Sequence, residues 1–298
     1  MLSHLMNIKI IGNGAWGNAF YSVISKNTPS VQIFGHQEIE INEGDILVLA
    51  VPTQAIKSVL KKTAFKTKTP TIVNTTKGIE KETHMLPYQI VGEFLGDEID
   101  YYSLIGPSFA KEVQSMMPTI VNLGYTKGIL NEQLKKIIQT DYFRVRLTSG
   151  VEALEISAAF KNIYAIACGL TEGLGYATNT RVKLMVLAIE ELNRLFESLK
   201  IALNSDMVPG TIGDLILTCS NEKSRNFTFG KLLATHSVSE ALNKVNATVE
   251  GFNSLSSVEY FSNKSKALLP LASFVCEVVK IDDPKKSKEY FDKFVKSI

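Results

Sequence analysis

The amino-acid sequence predicts an α/β protein: a parallel-rich sheet with helices in the N-terminal half and an all-helical C-terminal half. Up to about residue 150, short apolar runs alternate with helical patterns, which is typical of βαβ units. A glycine-rich turn follows the first of these runs. Beyond residue 150 the hydrophobic pattern is almost entirely helical. We therefore predict two domains, residues 1–150 and residues 151–298.

The glycine-rich turn has the sequence GNGAWG, Gly12–Gly17, and comes after the apolar run Asn7–Ile11. In dinucleotide-binding units the first glycine permits a sharp turn, the second lets the backbone approach a pyrophosphate, and the third lets the helix lie close to the strand. The helix that follows offers backbone N–H groups to phosphate. The glycine spacing alone is weak evidence, but here a strand precedes it and a helix follows. The turn therefore predicts a Rossmann-like domain that binds NAD or NADP.

The end of the second predicted strand, Ser30–Phe34, bears on the choice between these cofactors. An acidic residue about 20 positions after the glycines commonly binds the ribose hydroxyls of NAD, and a basic residue can accommodate the 2′-phosphate of NADP. Here His36 lies at the strand end and Glu38 follows it. His36 is equally well explained as a loop histidine, so the choice stays open. The stretch from His36 to Asp45 is too short for a crossover helix, which predicts a sheet trimmed on its adenosine side.

The remaining elements of the first domain follow in order, and the loop after one of its strands carries a candidate site lysine. Further strands are predicted at residues 45–51, 71–74, 102–105, 118–123 and 143–147, with helices at residues 54–62, 86–95 and 130–138. Ligands of open α/β sheets bind beyond the C-terminal ends of the strands. Lys77, after the strand that ends at Asn74, is therefore expected to face the cofactor. A solvated loop lysine is the slightly simpler interpretation.

Lys161 is the most informative residue of the helical half. It lies with Asn162 in the middle of the apolar run Ile156–Leu170. A lysine inside a buried helix is costly unless its charge is paired or its pKa is lowered. Its stem could instead reach the surface, but the apolar neighbours on both sides favour a functional role.

Two polar segments come later in the chain. A long helix, residues 179–204, is expected to carry Glu190, Glu191 and Arg194 on its outer face. Asp214 lies near the start of the next helix, where capping and catalysis explain it equally well.

Ser224, Arg225 and Asn226 form a predicted loop before a helix at residues 227–233. Together these three side chains suit a phosphate, although an exposed loop with a helix cap is the simpler reading of the segment alone.

The composition excludes several classes of protein. Thirty-two Lys and Arg against 30 Asp and Glu leave a net charge of +2, so we expect no nucleic-acid partner. No apolar run looks long enough to cross a membrane, and the N-terminus reads as a strand and not a signal peptide. The three cysteines lie far apart in apolar runs, which predicts reduced thiols and a cytoplasmic protein. We find no metal-ligand spacing.

Seven motifs in order resemble the bacterial-type NAD(P)-dependent glycerol-3-phosphate dehydrogenases, essentially from end to end. They are GNGAWG at residues 12–17, TKGIE at 76–80, GPSFA at 106–110, FKN at 160–162, GDLILTC at 213–219, SRN at 224–226 and VEG at 249–251. The resemblance implies reversible reduction of dihydroxyacetone phosphate to sn-glycerol 3-phosphate, which supplies phospholipid synthesis. A homodimer is compatible with it. The family usually has Arg at the position of His36 and a longer segment before Asp45.

The resemblance also implies which residues form the site. It makes Lys161 the proton donor, and from that role we expect Lys77 to lower the pKa of Lys161 and Asp214 to orient its side chain. The implied substrate contacts are Lys77, Gly106, Ser108, Lys161, Asn162, Asp214, Ser224, Arg225 and Asn226. The glycine turn itself predicts cofactor contacts at Gly12, Asn13, Gly14 and Gly17, and the end of the second strand predicts one at His36. The resemblance adds Ala15, Trp16, Lys77, Ala110, Arg225 and Glu250.

Two other functions remain open at this point. The first is a reductase for an unphosphorylated keto acid, such as a β-hydroxyacid or ketopantoate dehydrogenase, which the cluster from Ser224 to Asn226 disfavours. The second is a dinucleotide sensor without catalysis, which would not need Lys161 as a proton donor.

Overall fold

The apolar runs of the N-terminal half form a seven-stranded sheet in a computed structural model that describes residues 6–35, 37–96 and 98–298. The strands within the described ranges are β1 (Ile8–Ile11), β2 (Val31–Phe34), β3 (Ile39–Ile41), β4 (Ile46–Leu49), β5 (Thr63–Phe65), β6 (Thr71–Asn74), β7 (Asp100–Ile105), β8 (Thr119–Tyr125) and β9 (Phe143–Thr148). The sheet order is β2-β1-β4-β6-β7-β8-β9, and every neighbouring pair is parallel except β7 with β8.

The sheet order creates a switch point between β1 and β4. From β1 the chain moves to β2 on one side and later returns to β4 on the other. Ligands of such sheets bind in the crevice at the carboxyl ends of these two strands. On the far side of β1 the sheet ends at β2, because β3 pairs with β5 in a separate two-stranded sheet. The three-residue strand β5 was not predicted, since so short a segment carries no periodic signal.

Within the described residues, five helices lie between the strands and nine follow the last strand. They are α1 (Ala15–Ile24), α2 (Ile56–Lys62), α3 (Pro87–Leu95), α4 (Ala110–Gln114), α5 (Asn131–Ile138), α6 (Val151–Gly173), α7 (Thr178–Leu199), α8 (Asp214–Cys219), α9 (Arg225–Leu233), α10 (Val238–Val245), α11 (Glu250–Ser254), α12 (Val258–Ser265), α13 (Pro270–Ile281) and α14 (Pro284–Ser297). Short 3₁₀ or π turns precede α2, α8 and α12.

The seven-stranded sheet is covered by helices on both faces. Alternate residues of β4 point to opposite sides: Ile46 and Val48 pack into one apolar cluster, and Leu47 and Leu49 into another. The first cluster contains side chains of α1, α4 and α5, and the second contains side chains of α2 and α3. Strands buried on both faces explain why the N-terminal runs are continuously apolar in the sequence.

The chain divides into two compact units that interleave along the sequence. The first comprises the chain up to Lys77 together with Met85–Glu155 and Leu203–Thr211. The second comprises Gly78–His84, Ile156–Ala202 and Ile212–Ile298. The first unit holds the sheet, and the second is helical. The domain boundary after residue 150 stays a prediction.

Helix α6 corrects the expectation that no apolar run is long enough to cross a membrane. Its 23 residues are long and apolar enough to do so by length and composition. The whole apolar window of the helix is nevertheless buried inside the protein, as in the core helix of a soluble protein. Burial against protein therefore accounts for its composition.

Glu191 on α7 corrects a second expectation, because it is fully buried and does not lie on the outer face. Its carboxylate accepts hydrogen bonds from the backbone N–H groups of Leu271 and, at 3.2 Å, Ala272, both in the first turn of α13. A carboxylate at a helix N-terminus satisfies donors that have no partner within the helix. Burial raises the pKa of Glu191 to about 7 despite these hydrogen bonds. The sequence pattern of α7 alone could not reveal a partner about 80 residues away.

The raised pKa of Glu191 predicts a pH-dependent stability. Because the folded pKa of about 7 exceeds the unfolded value of 4.5, the contribution of this group is full below pH 4.5 and is lost as the pH rises to about 7. That loss amounts to roughly 3 kcal/mol. We expect Glu191→Gln to show a smaller fall in Tm between pH 5 and pH 7.5 than the unsubstituted protein, measured by thermal unfolding. Equal falls in both proteins would contradict the assignment.

Candidate active site

In the first unit, the three glycines of the turn after β1 differ in the space that is available for a side chain. Gly12 has a φ of +113°, and a Cβ there would lie 2.3 Å from the backbone oxygen of Ala50. A Cβ on Gly17 would lie 1.7 Å from the backbone oxygen of Gly12, so the helix packs directly on the turn. Around Gly14 there is nothing within 4 Å of the position of a Cβ. This open backbone at the start of α1 is what a pyrophosphate requires, so the residues present fit a dinucleotide.

The other predicted cofactor residues of this unit lie around the same helix start. Asn13 and Ala15 are exposed on either side of Gly14. Trp16 and Ala110 both pack against the apolar cluster beneath α1 and α4, and the Trp16 ring stacks on Phe20 with centroids 6.1 Å apart. The backbone N–H of Gly12 donates to the oxygen of Phe34, so the end of β2 is adjacent to the turn. His36 lies outside the described residues.

Lys77, Gly106 and Ser108 meet at the carboxyl ends of β6 and β7. The Lys77 Nζ donates to the backbone oxygen of Gly106 at 2.8 Å, and the Ser108 Oγ donates to the same oxygen at 2.9 Å. A Cβ on Gly106 would lie 2.7 Å from the Cα of Val121 on β8, so only glycine fits this close approach. Adjacent parallel strands therefore bring together three residues that are separated in sequence.

In the second unit, Lys161 of α6 and Asp214 of α8 form a buried ion pair. The Lys161 Nζ lies 3.1 Å from the Asp214 Oδ1, with side-chain exposures of 5% and 2%. The same Nζ donates to the Thr218 Oγ1 at 2.8 Å, and that hydroxyl donates to the backbone oxygen of Asp214. Asp214 thus pairs with the lysine and, as the first residue of α8, also complements the helix dipole. Two polar side chains hold the ammonium in one orientation.

Thr218 was missed at the sequence level. It lies four residues after Asp214, so one turn of α8 aligns both side chains with Lys161. That spacing was readable, but a threonine in an apolar helix is usually explained by a bond to its own backbone. The neighbouring Cys219 has a thiol whose pKa burial raises well above its ordinary value. A buried thiol with a raised pKa forms little thiolate, which is the form that acts as a nucleophile.

The segment Ser224–Asn226 begins helix α9 and does not form the predicted loop. Ser224 is the N-cap, and its hydroxyl accepts a hydrogen bond from the Phe227 N–H at 3.3 Å. Arg225 is exposed in the first turn, whereas Ser224 and Asn226 are buried. The hydroxyl proton of Ser224 and the Arg225 guanidinium can both donate to an anion at this helix start.

Asn226 connects the start of α9 to two other predicted residues. Its Nδ2 donates to the Asn162 Oδ1 at 2.9 Å, and its Oδ1 accepts from the Gly251 N–H at 2.8 Å. Glu250, the first residue of α11, immediately precedes Gly251. Asn162 in turn follows Lys161 on α6. The second unit therefore gathers the ion pair, the start of α9 and the start of α11 around one stretch of α6.

Glycine residues allow α6 and α9 to pack closely enough to bring these side chains together. A Cβ on Gly169 of α6 would lie 1.9 Å from the Phe227 oxygen, and one on Gly230 of α9 would lie 2.0 Å from the Ile166 oxygen. The two helices therefore approach each other through their backbones, which brings the start of α9 to Asn162. The roles of all these residues in binding and catalysis stay predictions.

Comparisons with known proteins agree on one family. Models described as NAD-dependent glycerol-3-phosphate dehydrogenase N-terminus and C-terminus match residues 40–129 and 150–288. Glycerol-3-phosphate dehydrogenase (NAD(P)+) of Ruthia magnifica is 32% identical over 300 residues, which cover 91% of this chain and 92% of that protein. The protein of the same description from Lawsonia intracellularis is 35% identical over 237 residues, covering 78% of this chain and 67% of that protein.

A solved structure confirms the predicted fold class. The crystal structure of glycerol-3-phosphate dehydrogenase from Coxiella burnetii has a TM-score of 0.85 with 24% sequence identity. The similarity covers 97% of this chain and 98% of that chain. The fold is thus a Rossmann-type sheet followed by a helical region.

The buried pair predicts a strong coupling between Lys161 and Asp214. Removing one partner of a buried ion pair typically costs about 3–5 kcal/mol, because the other charge is left in the interior. We expect Asp214→Ala to lower the free energy of unfolding by that amount. Lys161→Met combined with Asp214→Ala should cost much less than the two single changes added together. Urea unfolding of the four proteins measures the coupling, and additive losses would contradict it.

Proposed function

This chain belongs to the NAD-dependent glycerol-3-phosphate dehydrogenase family, and from that premise we propose that it reversibly reduces dihydroxyacetone phosphate to sn-glycerol 3-phosphate. The observation that carries the proposal is the buried ammonium of Lys161 in the same unit as the helix start at Ser224. A proton donor and an anion-binding helix start are what a phosphorylated ketone needs. A protein that only binds a dinucleotide needs neither a proton donor nor a second anion-binding helix start.

The first unit binds the cofactor in this proposal. The open backbone at Gly14 and the start of α1 hold the pyrophosphate, and Asn13, Ala15, Trp16 and Ala110 border it. NADH or NADPH, when bound, supplies the hydride that reduces the ketone carbon. Lys77, oriented by the Gly106 oxygen, contributes a positive charge at the carboxyl ends of the strands.

Lys161 is the proton donor in this proposal. As the ketone is reduced, its oxygen gains negative charge, which an ammonium stabilises before it transfers a proton to that oxygen. Thr218 and Asp214 keep the Nζ in place, so the ammonium need not reorganise during the reaction. In the reverse direction the neutral amine accepts the proton of the alcohol. Asp214 also offers an oxygen to a substrate hydroxyl.

The start of α9 holds the phosphate in this proposal. Arg225 provides two parallel N–H donors, and Ser224 and the first backbone N–H groups of the helix add neutral ones. Asn226 is held between Asn162 and Gly251, so it fixes the geometry of the helix start. Binding energy from the phosphate, which does not react, then positions the carbonyl. This arrangement favours a phosphorylated ketone over an unphosphorylated keto acid.

The cellular role extends the same proposal. We propose that sn-glycerol 3-phosphate from this enzyme supplies phospholipid synthesis in the cytoplasm, and that the enzyme works without nucleic acid or membrane insertion. The free cysteines are compatible with a reducing compartment. A homodimer is the assembly we would test first.

Turnover by Lys161 variants tests the proposed chemistry. We expect Lys161→Met to bind NADH with nearly unchanged affinity but to reduce dihydroxyacetone phosphate about 10²–10⁴-fold more slowly, since a positioned acid contributes about that much. NADH oxidation measured by absorbance gives kcat, and NADH fluorescence gives affinity. Lys231→Met is the matched control, because Lys231 is an exposed lysine of the same unit paired with Glu222. Full kcat in Lys161→Met, or equal activity on unphosphorylated dihydroxyacetone, would overturn the assignment.

The charge at the end of β2 supports NADH over NADPH. Residues 27–56 contain no lysine or arginine, but they contain Glu38, Glu40, Glu43 and Asp45. The end of β2 is adjacent to the glycine turn, and the Gln37 Oε1 accepts from the Gly35 N–H there at 2.9 Å. Asp45 precedes β4 and pairs with Lys9 at 2.7 Å, so Glu38 is the carboxylate that follows the end of β2 in sequence. A 2′-phosphate on the adenosine ribose would find no lysine or arginine within residues 27–56.

Cofactor preference therefore has a definite expected outcome. At pH 8 we expect kcat/KM for NADH to exceed that for NADPH by roughly 10- to 100-fold. A missing charge-assisted hydrogen bond has about that effect. Glu38→Arg should narrow the ratio, whereas Glu93→Arg, on the surface of α3, should not. A preference of the unsubstituted protein for NADPH would contradict the argument.

A further inference from the structure

Glu155 on α6 is a buried carboxylate that the proposed chemistry does not use. It is 1% exposed and accepts four hydrogen bonds within the first unit. The Oε1 accepts from the Tyr101 hydroxyl at 2.6 Å, the Ser103 hydroxyl at 2.9 Å and the Asn74 amide at 3.2 Å. The Oε2 accepts from the Tyr88 backbone N–H at 3.0 Å. Within the first unit, one side chain thus connects the start of α6, residues 151–155, to β6, β7 and the first turn of α3.

We propose that Glu155 is a positioning residue for Lys77, acting through the turn that carries this lysine and through the strand that leads to its acceptor, Gly106. The proposal rests on the role given to Lys77 in the proposed function. Its structural part, the ordering of the turn by Glu155, can be tested without any substrate.

The first connection runs through Asn74, the last residue of β6. Its Oδ1 accepts from the Thr76 N–H at 2.9 Å, and its Nδ2 lies 3.2 Å from the Thr76 oxygen. The amide therefore closes the turn immediately before Lys77. The Glu155 carboxylate accepts from the same Nδ2, which fixes which end of the Asn74 amide faces the Thr76 N–H.

The second connection runs through β7. Ser103 and Tyr101 donate to Glu155 from this strand, and Gly106 follows its last residue, Ile105. The Gly106 oxygen accepts from the Lys77 Nζ. Glu155 therefore holds both the segment that carries the lysine and the strand that carries its acceptor.

The negative charge of Glu155 matters for this arrangement. All four partners donate, and a carboxylate accepts from all of them, whereas a carboxylic acid carries a proton on one oxygen and keeps its partners only if the Tyr101 or Ser103 hydroxyl turns to accept that proton. Burial raises the pKa of Glu155 to about 7, although the hydrogen bonds from Tyr101, Tyr88, Ser103 and Asn74 oppose this. The other titratable groups that face it are the Tyr101 phenol, whose pKa burial raises well above its usual value, and the phenol of Tyr88, whose pKa is raised by burial and by Glu152 and Glu155. Near neutral pH, Glu155 is thus the group whose charge changes.

Glu191 provides a matched control. It is also a buried glutamate on a helix, also has a pKa raised to about 7, and also binds the first turn of another helix. Its backbone hydrogen bonds lead to Leu271 and Ala272 on α13, which carries no predicted site residue, and the Tyr164 phenol of α6 also faces it. A purely stabilising role for Glu155 would therefore make the two glutamine variants behave alike.

The experiment compares Glu155→Gln and Glu191→Gln by hydrogen exchange and by kinetics. In Glu155→Gln we expect the peptide containing Thr76 and Lys77 to exchange its amides at least tenfold faster, with no change in β8. In Glu191→Gln the Thr76 peptide should exchange as in the unsubstituted protein. Tyr101→Phe, which removes one donor only, should give a smaller acceleration and carries the test where Glu155→Gln fails to fold.

The kinetic arm measures kcat/KM for dihydroxyacetone phosphate from pH 6 to pH 8.5. We expect the unsubstituted protein and Glu191→Gln to lose activity as the pH falls through about 7, because the protonated Glu155 loosens the turn. Glu155→Gln should be roughly 10- to 100-fold less active at pH 8 and should lack this acid limb. Unchanged exchange at Thr76, or an acid limb that persists in Glu155→Gln, would overturn the proposal. If no protein turns over the substrate, the proposed function fails, and the exchange result still decides whether Glu155 orders the turn.

Discussion

The buried pair of Lys161 and Asp214 is the interaction on which the helical unit depends. A charge in the middle of a 23-residue apolar helix is tolerable only with a partner of opposite charge and further hydrogen bonds. α8 supplies both from one turn, Asp214 and Thr218. The position of α8 against α6 is therefore coupled to the charge state of the site, so that the residues of the proposed chemistry also hold the helices together.

Close backbone approach is the complementary constraint. In the first unit the helix after β1 rests on the oxygen of Gly12, which leaves the backbone at Gly14 open. In the second unit Gly169 and Gly230 let α6 and α9 touch, which sets the start of α9 beside Asn162. Both candidate anion sites are helix starts whose positions are set by glycines that no larger residue could replace.

Much of the fold and of the glycine turn could be predicted from the amino-acid sequence alone. Strands buried on both faces appear as continuous apolar runs, and the three glycines have distinct roles that their spacing indicates. The strand β5 and the first turn of α9 were not readable. A three-residue strand has no period, and Ser-Arg-Asn suits either a loop or a capped helix start until the partners of Ser224 and Asn226 are known. The prediction that Glu191 is exposed was wrong because hydrophobic periodicity indicates only the average buried face of α7. It does not show that the first turn of α13 has backbone N–H groups that this carboxylate accepts from.

The sequence by itself determined the fold class and the family and proposed the residues of the candidate site, because periodicity, glycine spacing and ordered motifs are local properties of the chain. Only the tertiary structure decided which polar residues share a partner. It joined Lys161 to Thr218, Asn226 to Gly251, and Glu155 to the strands beside Lys77. These pairings join residues 25 to 81 positions apart, and the cost of burying an unpaired polar group, which selects them, appears only when the chain is folded.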